Sequence, residues 1–256
     1  MDERAVSFLR LLQIMDELRE KCPWDKKQTK ESIRHLTIEE TYELSDAILK
    51  NDHNEIKKEL GDILLHIVFY SRIASESNEF TINEVIDSLC EKLIFRHPHI
   101  YGDVKAETEE QVKQNWEQLK QKEKGGNKSV LAGVPNSMPA LLKAYRIQEK
   151  ARAVGFDWDQ PEQVFDKVKE ELLEFEIEIK NKDQENAEKE FGDLLFSLIN
   201  FARFMGINPE DALEQTNKKF IKRFGHMEKR VKEQGKEISD CKLPELDGYW
   251  NEAKNL

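Results

Sequence analysis

The segment Lys167-Val168-Lys169-Glu170-Glu171-Leu172-Leu173-Glu174, followed by Glu-Phe-Gly-Asp at residues 190–193, determines the fold that we expect for this chain. Residues three apart lie on one face of an α-helix, so each acidic pair directs two carboxylates the same way. A polar break at residues 181–184 separates the two halves, and a helical hairpin can turn there. Such a hairpin brings together the carboxylates of Glu171, Glu174, Glu190 and Asp193.

The same acidic pattern occurs again, nearer the N-terminus. Each acid of the pattern has a counterpart 131 positions earlier, in the segments 39–43 and 59–62. A merely solvated helix surface has no reason to keep such a register, so the repeat favours a binding role. The earlier copy supplies a second candidate metal site, formed by Glu40, Glu43, Glu59 and Asp62.

Clustered carboxylates restrict the chemistry of the site. Like charges repel one another unless some are protonated or a cation joins them. Oxygen ligands without His or Cys suit Mg²⁺, with Mn²⁺ as a substitute. We therefore predict that the second repeat binds Mg²⁺. Its expected ligands are Glu171, Glu174, Glu190 and Asp193.

Helical periodicity dominates the chain. Segments rich in Leu, Ile, Glu and Lys recur with helical spacing, and the alternating runs typical of strands are missing from the sequence. We expect an all-α protein of two tandem, related helical-bundle modules, each with an acidic helical hairpin. Helix breakers predict modules at 1–124 and 140–256, joined by a linker at 125–139. Four apolar residues of the second acidic helix are expected to face a core: Val168, Leu172, Phe175 and Ile179.

Composition limits the function classes. The chain has 256 residues and a formal net charge of −11, so broad attraction to nucleic acid or to anionic membranes is not expected. The sequence contains neither an apolar run of membrane-spanning length nor an N-terminal signal-like segment. Its three cysteines are widely separated, which suits reduced thiols. We therefore expect a soluble, cytoplasmic protein.

The residues around the acids suggest a reaction. Hydrolysis of a phosphoanhydride requires that its negative charge is offset and that a water molecule becomes nucleophilic. Divalent ions held by carboxylates meet both requirements. Glu170 lies beside the expected ligands, where it can position or deprotonate the attacking water. Candidate contacts to phosphate oxygens are Lys167, Lys219, Lys222 and Arg223.

Three tryptophans are further candidates for contacts with a ligand or with the core. Trp250 is a candidate for stacking on a nucleobase. Trp24 and Trp158, in the loops before the acidic hairpins, are interpreted as packing anchors. The basic residues at 219–223 have an equal alternative in salt bridges or helix-terminus contacts.

Several stretches together resemble the MazG family of tandem nucleoside triphosphate pyrophosphohydrolases. They are the duplicated acidic signature, Cys22-Pro23-Trp24-Asp25, the segment 95–102 and Gly155-Phe156-Asp157-Trp158. The resemblance implies the all-α NTP pyrophosphatase fold and a homodimer. It also implies Mg²⁺-dependent cleavage of nucleoside triphosphates between the α- and β-phosphates, giving a nucleoside monophosphate and pyrophosphate. Broad base tolerance and a role in nucleotide-pool housekeeping or stress response are expected with it.

Carried onto matching positions, the resemblance implies nucleotide contacts on three segments and at one tryptophan. They are Lys167, Val168, Lys169, Glu170 and Glu171; Lys189 and Glu190; Lys219, Phe220, Ile221, Lys222 and Arg223; and Trp250. In tandem members of the family the C-terminal repeat carries the activity. The sequence gives an independent reason to expect this, since Leu36 stands where the second repeat has Lys167. The first repeat keeps its acids, so catalysis there stays open.

Two other interpretations are weighed against this one. A di-iron carboxylate bundle also clusters acids between helices, but it uses Glu-x-x-His pairs, which this sequence lacks. A helical scaffold whose acids are only surface residues would gain no stability from Mg²⁺, whereas a true ligand cluster would.

Overall fold

The computed structural model describes residues 2–105, 108, 111–112, 116, 119 and 129–255, and within these ranges it contains helices and no β-strand. The predicted all-α fold is therefore confirmed. Contacts between Cα atoms divide the chain into two compact units, Met1–Lys105 and Ala106–Leu256. The module boundaries stay a prediction, and residues 125–128 of the predicted linker lie outside the described ranges. Among the described helices, none has the length and apolar character needed to cross a bilayer.

The first unit is a small helical bundle. Its helices are α1 (Glu3–Lys21), α2 (Lys30–Lys50), α3 (His53–Glu76), α4 (Ile82–Arg96) and α5 (Pro98–Tyr101). Helices α2 and α3 form an antiparallel hairpin, and α1 and α4 pack against α3. The core of this unit contains Met15, Ile33, Val68 and Phe69, all of which are buried.

The second unit repeats the hairpin and adds a C-terminal helix pair. Its helices are α6 (Ala140–Ala153), α7 (Pro161–Asn181), α8 (Gln184–Phe204), α9 (Pro209–Glu233) and α10 (Leu243–Glu252). Helices α7 and α8 form the hairpin, α6 and α9 pack against α8, and α10 packs against α9. Met227, Val231 and Tyr249 form a buried cluster between the last two helices.

Both hairpins turn by the same device, at the polar breaks where the sequence predicts them. Asn51 and Lys182 end the first helix of each hairpin in the left-handed conformation, with φ of 54° and 58°. The next residue, Asp52 or Asp183, caps the second helix by accepting hydrogen bonds from backbone N–H groups. These pairs are also 131 positions apart. The duplicated turn therefore sets the acids of each repeat in the same register.

The apolar stripe on α7 is only partly covered. Val168 is buried, but Leu172 is 44% and Ile179 is 54% exposed. The prediction that all four stripe residues face a core is therefore wrong for these two. The reason is that α7 packs mainly against α8, and one neighbouring helix covers only part of an amphipathic face.

A buried ion pair ties the loop before α7 to α8. Arg203, which is 6% exposed, donates from Nη1 and Nη2 to the two carboxylate oxygens of Asp157 at 3.0 and 2.6 Å. Its Nε and Nη2 also donate to Oδ1 of Asn200, at 3.1 and 2.8 Å. This two-pronged geometry is the strong form of an arginine–carboxylate pair. It fixes the aromatic loop against the hairpin.

Removing this arginine should destabilise the second unit strongly. We expect Arg203→Met to lower the free energy of unfolding by about 3–5 kcal/mol, because it leaves a largely buried carboxylate without its partner. The matched control is Arg152→Met, whose Nε lies 3.7 Å from the same carboxylate on a side chain that is 61% exposed. The control should cost about 1 kcal/mol or less. Urea unfolding followed by circular dichroism measures both, and equal losses would contradict the assignment.

Candidate active site

The second hairpin gathers the acids that the sequence predicts to be metal ligands. Carboxylate oxygens of Glu171 and Glu174, on α7, and of Glu190, on α8, all lie within 4.8 Å of one another. Glu171 is buried, although its side chain is acidic. Oxygen atoms on facing helices at this spacing can bind one hard divalent cation. Asp193 stands one helical turn beyond Glu190 but is not a member of this close group.

The electrostatics of the group favour a cation. Burial raises the pKa of Glu190, and the negative charges of Glu174 and Asp193 raise it further. A carboxyl group in these surroundings keeps its proton to a higher pH unless a positive charge comes near. The donor set is all oxygen, so the residues present fit Mg²⁺ or Mn²⁺.

Lys167 supplies part of that positive charge. Its Nζ lies 2.8 Å from Oε1 of Glu170 and 2.7 Å from Oε1 of Glu171. Hydrogen bonds to these two carboxylates raise the pKa of the Lys167 ammonium group. Lys167 therefore joins Glu170 to Glu171, which is a predicted metal ligand.

A cavity of 390 Å³ adjoins the acidic group, and Lys167, Glu171 and Asp193 line part of its wall. This volume falls in the range of small-molecule sites. Apolar and aromatic residues form much of the remaining wall: Ile147, Ala151, Phe156, Trp158, Val164 and Phe196. Trp158 lies on this wall and is 41% exposed, and its interpretation as a packing anchor stays a prediction.

Sequence reasoning missed the polar residues of the cavity. Gln148, Asn200 and Arg203 all line it, and all three are buried. One available signal was a comparison of the two repeats. Asn200 interrupts the apolar face of α8 at the position where the first repeat has Phe69, 131 residues earlier.

The predicted nucleotide contacts on α9 and α10 form a separate group. Phe220 packs against Trp250 with ring centroids 4.9 Å apart, and the Arg223 guanidinium carbon lies 5.8 Å from the Trp250 ring. Lys219, Ile221 and Lys222 are exposed on the same stretch of α9. The described lining of the cavity includes none of these residues. Their contact with nucleotide stays a prediction.

The remaining predicted contacts lie on the acidic hairpin itself. Val168 is buried in the packing of α7. Lys169 bonds to Asp166 at 2.8 Å, and Lys189 bonds to Glu185 at 2.9 Å, both on the exposed surface of their own helices. The structure thus places Lys167, rather than these two lysines, on the wall of the cavity.

The first repeat has an equivalent acidic group. Carboxylate oxygens of Glu40, Glu43 and Glu59 lie within 4.8 Å of one another. Burial raises the pKa of Glu40, with a further contribution from Glu59 and Asp62. Glu59 is almost fully buried and accepts a hydrogen bond from Lys58 at 2.9 Å. This group also fits an oxygen-bound divalent cation.

The surroundings of the first acidic group are different. Leu36 occupies the position of Lys167, and Phe69 occupies that of Asn200. Phe69 is buried in the core of the first unit, and Leu36 packs against that core. The first repeat therefore fills, with apolar side chains, positions that border the cavity in the second.

Comparisons with known proteins match both repeats of this chain. The model of the MazG nucleotide pyrophosphohydrolase domain matches this chain at residues 28–101 and again at 159–227, covering both hairpins. The nucleoside triphosphate pyrophosphohydrolase/pyrophosphatase MazG of Thermotoga maritima is 46% identical over 257 residues, which span 99% of this chain and 98% of the relative. The nucleoside triphosphate pyrophosphohydrolase of Escherichia coli K12 is 41% identical over 252 residues, 96% of each chain. The chain therefore belongs to the MazG nucleotide pyrophosphohydrolase family, as the duplicated acidic signature predicts.

Proposed function

We propose that this protein is a Mg²⁺-dependent nucleoside triphosphate pyrophosphohydrolase that works mainly through its second repeat. The reaction adds one water to the triphosphate and breaks the bridge between the α- and β-phosphates, giving a nucleoside monophosphate and pyrophosphate. The observation that carries the proposal is the acidic group of Glu171, Glu174 and Glu190 at the edge of a cavity of nucleotide-compatible volume. The names of the relatives in Thermotoga maritima and Escherichia coli support the same activity.

Each residue of the site has a proposed role. Glu171, Glu174, Glu190 and Asp193 would hold the ion. When bound, Mg²⁺ offsets triphosphate charge and lowers the pKa of a coordinated water. Glu170 would position the attacking water and accept its proton, directly or through a second water.

Lys167 is proposed to change partners when the substrate arrives. Its ammonium group bonds to Glu170 and Glu171. With a divalent cation held by the carboxylates, the Lys167 ammonium group would be available to phosphate oxygens, which bear the charge of the substrate. The same change would release Glu170 to meet the water.

Assembly and location follow from the same family. Leu172, Leu195 and Leu198 on the second hairpin are each close to half exposed, and exposed apolar side chains in such numbers are common at protein interfaces. We propose that two copies of the chain associate through these faces as a homodimer. Housekeeping of the nucleotide pool with broad base tolerance, in the cytoplasm, is the role that we propose for it.

The two repeats should respond differently to loss of one acid. We expect Glu171→Gln to reduce kcat/KM for NTP hydrolysis by at least about 100-fold, the scale of losing one preorganised electrostatic contact in a transition state. Glu40→Gln, the matched change in the first repeat, should keep most of the activity. Chromatography that resolves the monophosphate and pyrophosphate from diphosphate and phosphate measures both. Similar losses in the two variants would contradict the choice of the second repeat.

Mg²⁺ should stabilise the folded chain. A ligand at 100 times its dissociation constant adds about 2.7 kcal/mol, so the thermal midpoint should rise on addition of Mg²⁺. The rise should be larger at pH 8 than at pH 5, because the raised pKa of Glu190 lets protons compete with the ion to a higher pH. Thermal melts of wild type and of the double variant Glu40→Gln, Glu171→Gln measure the effect. If the thermal midpoint of the wild-type protein did not change on addition of Mg²⁺, the result would favour a helical scaffold whose acids are only surface residues.

The variant Lys167→Leu tests the proposed contact between Lys167 and phosphate. It places in the second repeat the leucine that the first repeat has at the equivalent position, Leu36. We expect kcat/KM to fall about 10–100-fold, because a charge-assisted contact to phosphate is lost. Stabilisation by Mg²⁺ should persist, since a competing cation is removed while the carboxylates remain. Lys180→Leu is the control, because Lys180 pairs with Glu176 at 3.6 Å on the same helix. Loss of Mg²⁺ stabilisation in Lys167→Leu would show that the lysine supports the metal site instead.

A further inference from the structure

A segment without helical structure forms part of the cavity wall. Residues 129–138, which we call the strap, are a series of turns that precedes α6. The backbone hydrogen bonds that the structure describes for the strap lie within it, at 129–132, 131–134 and 135–138. Leu131 of the strap lines the cavity and is 45% exposed. A segment bonded in this way opens at lower cost than a helix does, so the strap can move while the helical part of the wall stays in place.

A buried lysine holds the strap against α6. Lys150 is 3% exposed, and its Nζ donates to the backbone carbonyl of Val130 at 3.1 Å. A hydrogen bond from an ammonium group is stronger than one between neutral groups, and a buried ammonium group needs acceptors. Lys150 therefore favours the arrangement in which Val130 stays beside it. The next residue along the strap is Leu131, so this bond also sets the position of the leucine on the cavity wall.

The cavity wall carries apolar side chains that are open to solvent. Phe156, which lines the cavity together with Leu131, is 79% exposed. Apolar surface of this kind is stabilised when a ligand covers it. A ligand in the cavity would therefore favour the position of the strap in which Leu131 packs against that ligand.

The first repeat uses the equivalent cation for a different contact. Arg19 stands at the position of Lys150, 131 residues earlier, and its Nη1 donates to the backbone carbonyl of Gln28 at 3.0 Å, in the loop before the first acidic hairpin. In the second repeat, the loop before the hairpin is held by Arg203 through Asp157. The contact of Lys150 with the strap is thus a property of the second repeat, which is the repeat that we expect to be active.

We propose that the strap is a lid on the cavity, and that Lys150 is the positioning residue that holds Leu131 of the lid against a bound nucleotide. The inference rests on the proposed hydrolase function and adds to it an element that controls release of the nucleotide. Lys150 contacts neither the nucleotide nor the ion in this proposal and acts through the carbonyl of Val130. Its loss should shorten the lifetime of the complex and leave the acidic group as it is.

Hydrogen exchange of the wild-type protein tests the lid directly. The probe is α,β-methylene-ATP with Mg²⁺, because its methylene group replaces the bridging oxygen that we expect the enzyme to release. We expect amide exchange in peptides from residues 129–138 to slow by at least about fivefold when the probe binds, since closing protects the amides of the strap. Peptides from α1, in the first unit, are the control and should not change.

A double-mutant cycle tests the role of Lys150. Release of a fluorescent derivative of the same probe is followed by stopped-flow after addition of excess unlabelled probe. We expect Leu131→Ala and Lys150→Met each to raise the release rate about five- to tenfold, because each removes the apolar contact of Leu131 with the ligand. The double variant should be no faster than the faster single variant, since the lysine acts through the leucine.

Lys143→Met is the matched control for Lys150→Met. Nζ of Lys143, also on α6, donates to the backbone carbonyl of Asn136 at 2.7 Å, so it too binds the strap. The described lining of the cavity does not include Asn136. Lys143→Met should therefore keep the wild-type release rate, and a rate as fast as that of Lys150→Met would contradict the assignment of Lys150.

The outcomes separate this inference from the function on which it rests. Unchanged exchange in the strap with the probe bound, or a wild-type release rate in Leu131→Ala, would overturn the lid even if Lys150→Met failed to fold. Effects that multiply in the double variant would overturn the role of Lys150. Wild-type protein that neither binds the probe nor releases monophosphate and pyrophosphate from any NTP would overturn the proposed function itself, and the lid with it.

Discussion

Repulsion among carboxylates on facing helices is the constraint on which the rest of this structure depends. In each repeat three glutamates bring their oxygens within 4.8 Å of one another. The left-handed turn residues and the capping aspartates hold the helices in this register, which keeps the acids of the two helices close together. Lys167 relieves only part of the repulsion in the second repeat. Binding of the cation that we propose would therefore be coupled to folding, because an ion would favour the state in which the acids are gathered.

Both repeats have the group of three glutamates, but the side chains around the group differ between them. In the first unit, Phe69 and its neighbours bury apolar surface, which stabilises that unit in the ordinary way. In the second unit, the equivalent region contains Asn200 and a cavity, so less apolar surface is buried there than around Phe69. The Arg203–Asp157 pair and the hydrogen bond of Gln148 to α8 keep the cavity wall ordered in compensation. This difference between the repeats supports the proposal that the second repeat carries the activity.

Much of the fold could be predicted from the sequence because its causes are local. Helical periodicity, the polar breaks and the spacing of the acids depend on neighbours along one helix, and the structure agrees with the expected hairpins. The cavity could not be predicted, because its contacts join distant residues: Asp157 and Arg203 are 46 positions apart, and Gln148 and Phe196 are 48 apart. The exposure of Leu172 was missed for a related reason, since a periodic stripe does not reveal how many helices cover it.

The exposed apolar face bears on the metal site as well as on assembly. Leu172 follows the proposed ligand Glu171 on α7, and Phe191 follows Glu190 on α8. Both apolar residues are nearly half exposed. In the homodimer that we propose, a second copy covering this face would also remove water from the neighbouring acids. Electrostatic interactions strengthen as the local dielectric falls, so the carboxylates would then attract a cation more strongly and repel one another more strongly without it. Association and Mg²⁺ binding would accordingly support each other, with the hairpin as the element common to both.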